Sequence, residues 1–276
     1  MKNTKQKVEE TSRQAKPWIE RFARFGYAAR GVIYAVVGVL ALQAAIGSGG
    51  QTPDQRGALQ EIVNQPFGKF LLGIVAVGFA GYVVWRFVQA LIDPGNEATG
   101  AKGIIKRVGF ASSGLTYAGL TVVAVQLFLG SGGNSNSNVK EDWTARLMSQ
   151  PFGQLLVLIV GIIIVGSGLN QFYQSYTAKF RKQLDLSKMN NNEQAWAIRA
   201  GRLGYLARGV VFVITGVFFI QAAIQTDPGK AAGLKEALQA LVHQPHGRWL
   251  LGIVAIGLFA YGIYSAVLAR YSKISL

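Results

Sequence analysis

The stretch RFGYAARGVIYAVVGVLALQAAIG, residues 24–47, decides the fold. It is apolar for long enough to cross a bilayer, because about 20 residues rising 1.5 Å each cover the roughly 30 Å of hydrocarbon. It also recurs. Residues 107–130 read RVGFASSGLTYAGLTVVAVQLFLG, and residues 202–225 read RLGYLARGVVFVITGVFFIQAAIQ. The three align without gaps. A Gly stands two residues after the Arg (Gly26, Gly109, Gly204), followed by an aromatic (Tyr27, Phe110, Tyr205). A second Gly stands seven after the Arg (Gly31, Gly114, Gly209), and a Gln nineteen after it (Gln43, Gln126, Gln221).

Downstream of each copy lies a shared break. It reads Gln65-Pro66-Phe67-Gly68, Gln150-Pro151-Phe152-Gly153 and Gln244-Pro245-His246-Gly247. Apolar residues precede each Pro at helical spacing, and a second long apolar run follows. Pro suits the junction because it ends one helix and fits the first turn of the next. The unit is therefore a spanning helix, a short amphipathic helix, a Gln-Pro break and a second spanning helix. Six spans are predicted, over 26–46, 70–91, 108–129, 155–173, 204–224 and 249–268.

The expected fold class is an all-α integral membrane protein, with six transmembrane helices as three parallel two-helix repeats. Parallel repeats admit a pseudo-threefold arrangement about the membrane normal. The organisation read from the sequence is a basic cytoplasmic segment over 1–21, then repeats over 22–96, 102–180 and 199–272. The run over 26–46 is expected to be a retained helix and not a cleaved leader, since it is one of three copies.

Composition agrees. Of 276 residues half are hydrophobic, 34 are Gly and only 15% are charged, against about a quarter in soluble chains. The net charge is +15. Three quarters of the 28 Lys and Arg fall on the side holding the termini and the loops after spans two and four. Excess basic charge marks the cytoplasmic side, so both termini are expected in the cytoplasm of an inner-membrane protein. Charge spread over alternate loops does not resemble a nucleic-acid face. No Cys is present, which excludes disulfides and thiolate chemistry.

The repeat start, the Gly seven after the Arg, the Gln-Pro-Phe-Gly break and the threefold unit together resemble a bacterial membrane-protein family catalogued as domain of unknown function 1206. The resemblance covers about 22–271. It implies six membrane helices, no assigned activity and no catalytic residues to carry over. The second copy diverges most, with Ser113 where the others have Arg30 and Arg208, and Asn170 inside its second span.

Few residues suggest chemistry, and no catalytic, cofactor or metal site is expected. His243 and His246 flank a Pro that breaks ligand geometry, and neither recurs in the other copies. The Gly-rich linkers beginning at Gly47 and Gly130 lack a phosphate-loop pattern and read as helix ends. Arg30 and Arg208, one to two turns inside their spans, are candidates for headgroup or partner contact. Gln43, Gln126 and Gln221 form a candidate polar cluster. Gly31, Gly114 and Gly209 are candidates for close helix packing. No Asp or Glu lies mid-span, which disfavours ion-coupled transport. The partners expected are the lipid bilayer and its anionic headgroups, not nucleic acid. The favoured reading is a non-enzymatic scaffold or a lipid- or partner-interacting module; the alternative is a passive channel or transporter among the three repeats.

Overall fold

The computed structural model describes residues 2–47, 54–92, 101–131 and 139–273. Parts of the polar linkers, residues 48–50 and 132–138, lie outside the described residues. The described elements are three short 3-10 turns (Lys179–Gln183, Leu186–Lys188 and Pro228–Lys230) and nine α-helices: α1 (Lys2–Ile46), α2 (Gln55–Asn64), α3 (Gly68–Ile92), α4 (Ala101–Phe128), α5 (Val139–Met148), α6 (Gly153–Thr177), α7 (Asn191–Gln225), α8 (Leu234–Val242) and α9 (Gly247–Tyr271). No strand occurs among the described residues, only an isolated antiparallel bridge between Leu184 and Ser272. Six helices, α1, α3, α4, α6, α7 and α9, are long and apolar enough to cross a membrane. The fold class is thus all-α, with three two-helix repeats.

Two helices run longer than their apolar stretches suggest. Helix α1 begins at Lys2 and continues through Pro17, so the basic segment and the first span are one helix. Helix α7 begins at Asn191, two turns and more before the apolar run. Its start is set by a capping box, in which the Asn190 side chain accepts from the Glu193 amide and the Glu193 carboxylate accepts from Asn190 N–H.

The Gln-Pro break has one geometry in all three repeats. The residue after Pro takes a left-handed conformation, with φ of 61° at Phe67, 63° at Phe152 and 59° at His246. The next residue must be Gly. A Cβ at Gly68 would lie 2.1 Å from the Ile62 carbonyl oxygen, at Gly153 1.9 Å from that of Leu147, and at Gly247 2.1 Å from that of Val242. The short helix and the following span meet at that Gly, so the motif is a hinge of fixed angle.

Packing partners repeat cyclically. Within a repeat, α1 packs on α3 and α7 on α9. Between repeats, α3 packs on α4, α6 on α7 and α9 on α1. Each inter-repeat face joins the second span of one copy to the first span of the next. The Gly seven after the Arg sits on that face every time: Gly114 meets Phe87 of α3, Gly209 meets Phe172 of α6, and Gly31 meets Gly262 and Ala266 of α9. Arg24 reinforces the α9–α1 face by donating to the carbonyls of Ala269 and Arg270 at the end of α9.

One contact of the cycle is missing. Among the described residues α4 and α6, the two spans of the second repeat, share no packing face. The six long helices form an open arc in the order α4, α3, α1, α9, α7, α6. Three repeated positions explain the gap. Gly26 and Gly204 press against Tyr82 and Tyr261, at 2.6 Å and 2.7 Å from an added Cβ, whereas Gly109 has nothing within 4 Å. Gly78 and Gly257 sit against Ala29 and Ala207, whereas their counterpart in α6 is Ile163, an exposed side chain. Gly81 abuts Phe22, whereas Gly166 faces open space.

Substitution of these glycines should divide sharply. Gly68→Ala and Gly247→Ala are expected to lower stability by about 1–3 kcal/mol, the cost of overpacking. Gly166→Ala should be neutral or stabilising by up to about 1 kcal/mol, the gain of Ala over Gly in a helix. Thermal unfolding in detergent measures both; equal melting of Gly68→Ala and the unaltered chain would contradict the hinge geometry.

Candidate functional site: an arginine–tyrosine cluster inside the arc

The concave side of the arc is filled by aromatic rings and arginines. Arg30 of α1 is only 6% exposed. Its Nη1 donates to the Tyr82 hydroxyl of α3 at 2.6 Å. Its guanidinium carbon lies 4.6 Å from the Tyr261 ring centroid, 5.6 Å from Tyr82 and 5.9 Å from Tyr34. Arg208 of α7 repeats the arrangement. It donates to the Tyr261 hydroxyl of α9 and lies 4.4 Å from the centroid of that ring. Arg86 of α3 completes the set, its Nε donating to Tyr82 at 2.8 Å and its Nη1 to Gln89 at 2.8 Å. Tyr82 and Tyr261 are fully buried, so these are interior bonds.

The pattern follows the repeats. Counting from the Pro of each break, Tyr82, Ser167 and Tyr261 occupy one position. Arg30, Ser113 and Arg208 occupy one position in the first spans. Repeats one and three therefore carry an Arg–Tyr pair that ties their two spans together. Repeat two carries Ser at both places, and its spans are parted. Bulk is lost alongside: buried Ile33 and Val211 correspond to exposed Thr116, and buried Trp85 and Tyr264 to exposed Asn170.

Among the described residues no carboxylate pairs with the cluster. Helices α3, α4, α6 and α9 contain no Asp or Glu, and α1 contains none beyond Glu20. Helix α7 has Glu193 alone, and its carboxylate is engaged by Asn190 and by Tyr271. Arg30 and Arg208 both lie over the Tyr261 ring, so the two like charges stand within about 9 Å, repelling by roughly 2 kcal/mol at an effective dielectric of about 20. Donors also exceed acceptors. Three guanidinium N–H groups, one from Arg30 and two from Arg86, point at the single Tyr82 oxygen, which has two lone pairs. The Nε–H groups of Arg30 and Arg208 are buried without a protein partner.

The remaining candidates fall elsewhere. Gln43, Gln126 and Gln221 are exposed and are not gathered into a buried layer. Twelve residues past the packed Gly is three and a third helical turns, so each Gln points a third of a turn away from the packed face. The Arg30 guanidinium turns to the Tyr82, Tyr261 and Tyr34 rings, and Arg208 is half-buried. His243 and His246 are exposed at the third break. The tyrosine partners and Arg86 are what a reading of the first spans alone misses. Aligning the second spans on their Pro would have paired Tyr82 and Tyr261 with the two arginines.

An all-helical chain of three tandem two-helix repeats, with six helices long and apolar enough to span a membrane, defines the class of a multi-pass membrane protein. The family model described as Domain of Unknown Function (DUF1206) matches residues 25–93, 108–178 and 203–272, and the chain belongs to that family. It is similar to the uncharacterized protein YxxB of Bacillus subtilis (strain 168), with 35% identity over 262 residues that cover 95% of this chain and 94% of that protein. No solved structure matches the chain.

The cluster makes a specific demand on stability. Tyr82→Phe removes the acceptor shared by Arg30 and Arg86 and should cost about 1–3 kcal/mol, the penalty for buried unsatisfied donors. Tyr176→Phe, at an exposed site, should cost under about 0.5 kcal/mol. Equal thermal stability of the two variants would mean that the arginines do not depend on the phenol.

Proposed function

We propose that this chain is a non-enzymatic, lipid-interacting module of the inner membrane, with both termini in the cytoplasm. The single observation that carries the reading is the arginine cluster with no carboxylate. It lies toward the end of the arc where Arg24 of α1 meets the end of α9, the same end that carries most of the basic loop charge. A buried cation in a membrane is retained where something compensates it, and the anionic cytoplasmic leaflet is the abundant source of negative charge on that side. The exposed apolar faces of α4 and α6, with Leu115, Val122, Ile159, Ile162 and Leu169 outward, suit contact with lipid tails.

A channel between the repeats is the competing reading. The aromatic filling of the concave side, with Tyr82, Phe79 and Tyr261 fully buried, weighs against it. Flux through liposomes containing the purified chain separates the two. The expected result is leakage no greater than protein-free vesicles; reproducible solute flux would overturn the module reading.

Orientation has its own check, helped by the absence of native Cys. Ser131→Cys, after α4, should react with an impermeant maleimide in intact cells. Ser187→Cys, in the loop between α6 and α7, should react only after lysis. The reverse pattern would invert the topology.

A further inference from the structure

We propose that the gap between α4 and α6 is the lateral entrance to a binding site for the phosphate headgroup of an anionic phospholipid, with Arg208 and Arg30 as its ligands. The inference rests on the lipid-interacting reading and names the ligand of that same cluster. Three independent features converge on it.

The entrance is lined by small and polar residues. The repeat positions that would close it are Gly109, Ser113 and Thr116 on α4, and Ser167 and Asn170 on α6. Gly109 faces open space, and Thr116, Ser167 and Asn170 are exposed. The Thr116 and Ser167 hydroxyls donate back to the carbonyls of Ser112 and Ile163, so toward a ligand their oxygens act as acceptors. Such a slot accommodates a glycerol backbone or headgroup hydroxyls better than hydrocarbon.

The slot leads to unspent donors. Tyr117 of α4 packs on Tyr82 with ring centroids 4.6 Å apart, so α4, on one side of the gap, borders the cluster that holds Arg30 and Arg208. Their Nε–H groups are buried and without a protein partner, Arg30 being more than nine-tenths enclosed. Both guanidinium groups lie against the Tyr261 ring, 4.6 Å and 4.4 Å from its centroid, so a phosphodiester beside that ring would meet the N–H groups of two arginines. Among the described residues no carboxylate pairs with them.

The depth is right for a headgroup drawn slightly inward. Arg30 lies sixteen residues before Ile46, hence about 24 Å along the axis, and the hydrocarbon is about 30 Å thick. That leaves about 6 Å to the headgroup layer on the Arg side. Tails of the bound lipid would then run beside the exposed apolar faces of α4 and α6.

Native mass spectrometry of the delipidated full chain in neutral detergent tests this, with added phosphatidylglycerol or phosphatidylcholine as probes. The expected result is one tightly held phosphatidylglycerol, preferred at least tenfold over phosphatidylcholine. Arg208→Gln should abolish that preference. Ser113→Arg/Ser167→Tyr, which restores the pair found in the other repeats and draws the two spans together, should lose the lipid at least tenfold while melting no lower than the unaltered chain. The double variant keeps the test decisive if Arg208→Gln does not fold. Millimolar inorganic phosphate should not displace the lipid; displacement would show a site for free phosphate and overturn the lipid occupant. Undiminished phosphatidylglycerol binding by a folded variant would overturn the site but leave the broader reading intact, since anionic lipid would then be held elsewhere. Absence of any preference for phosphatidylglycerol in the unaltered chain would remove both.

Discussion

A guanidinium inside a membrane protein must find hydrogen-bond acceptors or a counter-ion, and here the acceptors are phenols. Arg30 on Tyr82 and Arg208 on Tyr261 each join the first span of a repeat to its second. The ring faces add cation–π attraction, strongest where the cation is shielded from water. Breaking such a pair leaves an unsatisfied charge in a low-dielectric interior, so the cost falls on whatever separates the helices. The close Gly–Tyr approach at Gly26 and Gly204 depends on the same contact, since the phenol can reach the arginine only if the backbones nearly touch.

The asymmetry of the molecule follows from where this contact is absent. All three repeats have the inter-repeat Gly and therefore the same neighbour-to-neighbour packing. Only the second lacks the Arg, the Tyr and the small residue at the Ile163 position. A ring of three equal units would have no side entrance. Divergence of one unit at a handful of positions leaves an arc, and the opening stands beside the residues whose charge is least satisfied.

Much of the fold was legible in the sequence because its signals are long or repeated. Six apolar runs of membrane length and a gapless threefold alignment set the architecture. Gly31, Gly114 and Gly209 were recognisable as packing positions, and all three face the second span of the neighbouring repeat. The helix starts were less legible: α1 runs on through an interior Pro17, and α7 starts early at a capping box. The left-handed residue in each break gave no sequence sign, because Phe67 and Phe152 are not residues that seek that conformation. The cluster was half visible. The arginines stood out as charges in apolar runs, but their partners are distant in sequence and tyrosines are common near membrane interfaces. The Gln positions recur for a reason the packing does not supply.

The central claim is that the second repeat is open because it lacks the Arg–Tyr tie. Oxidative disulfide formation in membranes tests it on the Cys-free background, since a disulfide needs Cβ atoms about 3.5–4.5 Å apart. Ala45→Cys/Gly252→Cys bridges the closed α1–α9 face, where an added Cβ at 252 lies 3.8 Å from the Ala45 Cβ. Gly109→Cys/Ser167→Cys occupies the positions of Gly26 and Tyr82 in the closed first repeat, where an added Cβ at 26 lies 2.6 Å from the Tyr82 Cβ. The account predicts a disulfide in the first pair and none in the second; efficient bridging of 109 to 167 would show α4 and α6 packed together and would contradict it.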